Sequence, residues 1–119
     1  MNPSSGRTDP RRGEIWLVDF GDPVGREQGY RRPALVVSAD RLNVSRAGLV
    51  IVVPVTRTRR DLPSHVEIEP AGAGLGDLSY AKGADIKSIS RNRLVHRLGS
   101  APDDIVSHVA FVVRTLIED

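Results

Sequence analysis

The chain has 119 residues, 39% of them apolar, which suits one domain with a modest core. It contains no cysteine, and this excludes disulfides, a thiolate nucleophile and sulfur-ligated zinc. The net charge is only +2, yet 15 Arg stand against 2 Lys. Arginine forks onto phosphate and stacks on bases, so the bias suits nucleic acid, although GC-rich coding would produce the same excess.

No apolar run approaches the roughly 18 residues that a membrane helix needs. Residues 1–10 (MNPSSGRTDP) have the Ser, Gly, Pro and Asp content of a disordered leader and lack the apolar centre of a signal peptide. The expected organisation is therefore a leader over 1–10, a single domain over 11–119, and a cytoplasmic location. Residues 15–20 (IWLVDF) read as a strand with apolar side chains on both faces. Trp16 in that setting suits the core better than a base-stacking platform. Residues 21–32 (GDPVGREQGYRR) then form a connection too long for a tight hairpin, and loops of that length commonly carry function.

Residues 33–38 (PALVVS) and 49–56 (LVIVVPVT) are expected to be adjacent central strands, with a helical turn or a wide loop between them. Pro54 interrupts the ladder of the second. Residues 65–69 (HVEIE) alternate, with Val66 and Ile68 inward, as in an edge strand. A Gly-rich turn covers 71–76, and shorter strands are expected over 85–89 and 94–98. From residue 101 to 117 the period changes to 3.6, with Ile105, Val106, Val109, Val112, Val113, Leu116 and Ile117 on one stripe. Ser100 is the expected cap of this helix, Pro102 falls in its first turn, and Asp103 and Asp104 complement its dipole. About six strands followed by one amphipathic helix imply a partly closed antiparallel barrel with the helix packed on it.

Several chemistries lack their parts. There is no GxxxxGK[ST] phosphate loop, GxSxG elbow or HExxH pair, and His65, His96 and His108 have no metal-ligand spacing. No metal and no cofactor are expected. What remains lies between residues 26 and 56: Arg26, Arg31 and Arg32 as cationic donors, Glu27 and Gln28 as hydrogen-bonding groups, and the Thr56 hydroxyl at the end of a buried strand. Such a set can hold a phosphodiester. RNA brings its own nucleophile in the 2′-hydroxyl, so cleavage needs positioning, charge stabilisation and proton transfer.

The ordered series Arg12-Gly13-Glu14-Ile15-Trp16, then Gly25, Glu27, Gln28, Arg32, Pro33 and 34–38, resembles the opening of the MazF/PemK family of toxin endoribonucleases. VPVT at 53–56, LPSHVEI at 62–68 and IKSI at 86–89 continue the likeness in order. The resemblance implies an SH3-like barrel of the CcdB/PemK type that works as a homodimer. It also implies sequence-specific, metal-independent cleavage of single-stranded RNA through a 2′,3′-cyclic phosphate, and inhibition by a cognate antitoxin. The family's catalytic arginine and threonine fall on Arg32 and Thr56. Arg26, Glu27, Gln28, Arg31, Pro54 and Arg57 then stand as the expected substrate contacts.

A guanidinium, with a pKa above about 12, is a poor base, so Arg32 fits better as a phosphate clamp or proton donor. Glu27 and His65 are the candidate general bases. Asp85, where many relatives carry Gln, and Lys82 depart from the family pattern. Two alternatives share the barrel: a gyrase-poisoning toxin of the CcdB branch, which the ending Leu116-Ile117-Glu118-Asp119 does not resemble, and a catalytically silent RNA-binding barrel. An antitoxin is expected to bring an acidic, disordered tail to the arginine-rich face, and DNA binding is not expected of the toxin alone. The dimer interface is expected to include part of the 105–116 stripe.

Overall fold

A computed structural model describes residues 9–21 and 30–118. Seven strands and two helices follow one another as β1 (Glu14–Asp19), β2 (Arg31–Val36), α1 (Asp40–Asn43), β3 (Leu49–Thr56), β4 (His65–Ile68), β5 (Ser79–Lys82), β6 (Lys87–Ser90), β7 (Leu94–Ser100) and α2 (Asp103–Ile117). All strand pairs are antiparallel, in the order β4-β5-β3-β2-β1-β7, with β6 also on β3. The expected antiparallel barrel with a C-terminal helix is thus an open seven-stranded sheet with α2 packed on it. Among the described residues no helix is long and apolar enough to cross a membrane.

β3 is the spine of this sheet. One of its edges pairs with β2, and the other is divided, with Leu49 to Val52 on β6 and Val55 and Thr56 on β5. Pro54 has no N–H to give, and it falls at the changeover between those two partners. Alternation along β2 and β3 sends Leu35, Val53 and Val55 to one face, where they meet Val66, Ile68 and the helix residues Val106, Val109, Val112 and Val113. Ala34, Val36, Val50 and Val52 turn to the other face and pack with Val18, Ile89, Trp16, Phe20 and Leu94. Both faces are apolar because both are covered, and each fully buried Val or Leu contributes about 1.5–3 kcal/mol.

Several boundaries differ from the sequence expectation. β2 begins at Arg31 rather than residue 33, because Arg31 and Arg32 pair with Asp19 and Val18 of β1. The stretch around Asp40 is a helical turn, tied down by the buried Asn43, whose side chain bonds Ser38. β5 is a strand the sequence pattern did not single out. Residues 83–85 form a 3₁₀ turn, so the strand expected over 85–89 starts at Lys87. Ser100 does not cap α2. It closes β7 and its hydroxyl accepts from Arg97 at 2.8 Å, while Pro102 is the N-cap without a side-chain bond. Leu116 and Ile117 lie off the buried stripe and are exposed. Pro10 is fully buried, so the packed body takes in a residue expected in the leader.

The segment before β5 lies directly on the end of β7. A Cβ on Gly74, whose φ is +73°, would overlap the Leu98 carbonyl, and one on Gly99 would overlap the Ala73 backbone. The Ser100 N–H donates to the Gly72 carbonyl at 3.0 Å. Only glycine permits that approach and that φ together. Gly74→Ala is therefore expected to lower stability by about 2–3 kcal/mol, read as a lower urea midpoint, whereas an open-space position such as Gly76 should tolerate Ala.

Candidate functional site

The β2–β3 register pairs Ala34 with Pro54, Leu35 with Val53 and Val36 with Val52. Carried two residues further, it sets Arg32 opposite Thr56. The two residues line a common cleft of about 310 Å³ together with Pro33, Val55, Arg57, Gly74, Leu75, Gly76, Asp77, Ser79 and Leu98. That volume is at the small end of ligand-binding clefts, which run from about 300 to 1,000 Å³. One wall is the paired ends of β2 and β3; the other is the glycine-rich segment seated on β7.

Arg32 is exposed, and among the described residues no carboxylate pairs with it. Among the described residues no acidic side chain competes with an anion for its five N–H donors. The Thr56 Oγ1 accepts from the Thr58 N–H at 3.1 Å. With one lone pair held there, the hydroxyl proton is left to point elsewhere and donate. Arg57 pairs with Asp77, Nη1 to Oδ2 at 3.1 Å, across the cleft mouth, with both side chains largely exposed. The Asp77 carbonyl accepts from the buried Ser79 hydroxyl at 2.9 Å, which anchors the backbone that carries this carboxylate. The cleft thus offers a cationic donor, a neutral hydroxyl donor and an Arg–Asp pair side by side, a set suited to a phosphodiester and the bases beside it.

Comparison with known proteins supplies the family. The model of the PemK-like, MazF-like toxin of type II toxin–antitoxin systems matches residues 11–117. The chain belongs to this toxin family. It is 38% identical over 94 residues to the Mycobacterium tuberculosis protein named Endoribonuclease MazF9, an alignment covering 75% of this chain and 80% of that one. It is also 30% identical over 100 residues to Endoribonuclease EndoA of Bacillus subtilis, covering 83% and 86%. Among solved structures, MazF from Deinococcus radiodurans superimposes with a TM-score of 0.78 at 30% identity, over 93% of this chain and 98% of that one. A MazE–MazF structure from the same organism gives 0.76, also at 30% identity, over 93% and 97%.

In this MazF-like chain the cleft gathers three of the residues singled out from sequence, Arg32, Thr56 and Arg57. Arg31 follows the strand alternation to the opposite face from Arg32 and does not line the cleft. Pro54 faces Ala34 within the sheet and is not on the cleft surface. Arg26, Glu27 and Gln28 lie outside the described residues. Asp77 is the cleft residue that sequence reasoning missed; its one signal was an isolated acid in a glycine-rich stretch.

His65 stands apart from this group. It opens β4, opposite Lys82 on β5, and does not line the cleft. Its Nδ1 is buried, with no hydrogen-bond partner among the described residues. Burial holds the imidazole pKa below its ordinary 6.5, helped by Lys82 and Arg60 and opposed by Asp85, which itself pairs with Lys82 at 3.2 Å. As pH falls, the unfolded chain therefore takes up the proton before the folded one does. The stability linked to His65 is complete above the unfolded value of 6.5 and is lost as pH falls below it, toward and through the lower folded value. Urea midpoints at about pH 7.5 and about pH 5.5 should show a smaller drop for His65→Gln than for the unaltered protein. Equal drops would show that His65 carries no part of the pH dependence.

Proposed function

We propose that the chain is a sequence-specific endoribonuclease, the toxin of a toxin–antitoxin pair, that cleaves single-stranded RNA in the Arg32–Thr56 cleft. The observation that carries this reading is the union of those two side chains in one cleft, with no carboxylate paired to Arg32 among the described residues and the Thr56 hydroxyl oxygen accepting from Thr58. The curated relatives named as endoribonucleases support it.

The reaction follows from the substrate's own chemistry. The 2′-oxygen attacks the adjacent phosphorus, the bond from phosphorus to the 5′-oxygen breaks, and a 2′,3′-cyclic phosphate and a 5′-hydroxyl fragment result. Negative charge builds on the non-bridging oxygens, where Arg32 and the Thr56 hydroxyl donate hydrogen bonds. In this scheme Arg32 gives a proton to the departing 5′-oxygen and is at once reprotonated by solvent, while solvent water takes the proton from the 2′-hydroxyl. Arg57 extends the donor set toward the neighbouring nucleotide. No metal takes part in this scheme, because the nucleophile belongs to the RNA.

The same reading gives the protein a homodimeric form, a cytoplasmic place of action and a cognate antitoxin. The MazE–MazF structure from Deinococcus radiodurans supports the last of these, and the exposed Phe111, Leu116 and Ile117 give α2 apolar area for a partner surface. An acidic antitoxin tail would compete with RNA for Arg32 and Arg57, with affinity falling as salt rises.

The test is single-stranded RNA incubated with purified protein in chelator, beside a copy carrying 2′-deoxy linkages. Cleavage of the first and survival of the second are expected. Arg32→Ala and Thr56→Ala should each slow cleavage by roughly 100-fold while melting like the unaltered protein. RNA left intact at enzyme excess across varied sequences would identify a silent barrel or a non-nuclease toxin, and full activity in both variants would remove these residues from the chemistry.

A further inference from the structure

Asp77 is an acid in a cleft otherwise built to attract an anion. An exposed pair such as Arg57–Asp77 adds little to fold stability, so stability does not account for a carboxylate held at this place. Its backbone is nonetheless well anchored. The Ser79 hydroxyl holds the Asp77 carbonyl, and Gly74 and Gly99 seat the segment on β7 without room for a side chain between. The single Nη1–Oδ2 contact uses neither Oδ1 nor the remaining guanidinium N–H groups, and both side chains are largely exposed. Acceptor and donor therefore sit next to each other in the cleft that Arg32 and Thr56 also line.

From this geometry we infer that Asp77, with Arg57 beside it, reads a nucleobase carrying an exocyclic amine next to the cleaved bond and rejects uracil. The inference rests on the reading of the cleft as an RNA-cleaving site. Adenine, cytosine and guanine each present an N–H₂ that donates to Oδ1, with a ring nitrogen or carbonyl alongside for the guanidinium. Uracil offers only a ring N–H flanked by two carbonyl oxygens, both of which repel a carboxylate. Asp77 is a specificity-determining residue on this account and takes no part in bond breaking.

The experiment digests a randomised single-stranded RNA pool with the unaltered protein and with Asp77→Asn, and sequences the 5′-hydroxyl fragments and their upstream partners. For the unaltered protein, one position flanking the cut should show uracil depleted by about tenfold. Asp77→Asn supplies an amide N–H₂ that can donate to a uracil carbonyl, so among the fragments it forms uracil should rise to near parity at that position. Replacing the preferred base by its analogue without the amine should slow the unaltered protein by about tenfold and Asp77→Asn by less, because the amide can turn its N–H₂ toward a remaining acceptor. Identical base profiles for the two proteins would overturn the inference. So would loss of cleavage at every sequence in a folded Asp77→Asn, which would make the carboxylate part of the chemistry. Absence of any cleavage by the unaltered protein would instead defeat the ribonuclease reading, and the inference with it.

Discussion

The pairing of β2 on β3 is the constraint from which both the core and the cleft follow. Leu35 and Val53 are packed under α2, while Ala34, Val36 and Val52 are packed on the opposite face, and all five are fully buried. A slip of one residue would exchange the faces of every side chain on the strand that moved. It would put Arg32 out of step with Thr56 and apolar groups out of both cores at once. Placement of the two polar residues is thus enforced by burial several residues away. No hydrogen bond between them is needed to hold them opposite each other.

The second wall depends on a different force. The segment of residues 70–78 contributes little apolar surface, Ala73 and Leu75 being its core contacts, and it is held against β7 by backbone contact at Gly74 and Gly99. A cleft results because β5, which follows this segment, pairs with only the last two residues of β3. The opening between the end of β2 and β3 and this wall is what remains uncovered. Its guanidinium groups, on Arg32 and Arg57, are exposed, so ion pairs made there add little to folding.

These origins explain what could be read from the sequence. Strands with apolar residues on both faces, the edge strand at Val66 and Ile68, and the 3.6-residue period of α2 are all records of burial, and burial is what periodicity reports. The start of β2 was less legible, because Arg31 and Arg32 are exposed and join the strand through backbone pairing with β1, to which side-chain pattern is blind. β5 escaped for a related reason: Ser79 and Ala81 are its buried residues, and neither has the bulk that marks a strand. Arg32 and Thr56 could be shortlisted from the long connection and the strand end, but only family likeness ranked them above Arg26 and Arg31. Asp77 had no signal of either kind, since its meaning comes from a wall assembled by residues more than twenty positions away in β3 and β7.

The division of labour between the two walls bears on how a site of this type can change its substrate. Arg32 and Thr56 stand near the ends of strands whose interiors are core, so alteration of that wall's backbone would disturb packing throughout the sheet. Asp77, on the wall whose shape is set by glycines and backbone contacts, and Arg57, just past the end of β3, lie outside the apolar clusters at 62% and 77% side-chain exposure. Substitution of their side chains leaves those contacts in place, with surface changes of this kind usually within about 0.5 kcal/mol. On the proposed reading, RNA that carries its own nucleophile asks the protein for little beyond positioned donors, and Arg32 and Thr56 sit on paired strands with buried interiors. The exposed wall is then free to discriminate between bases, because nothing in the core depends on which side chain stands there.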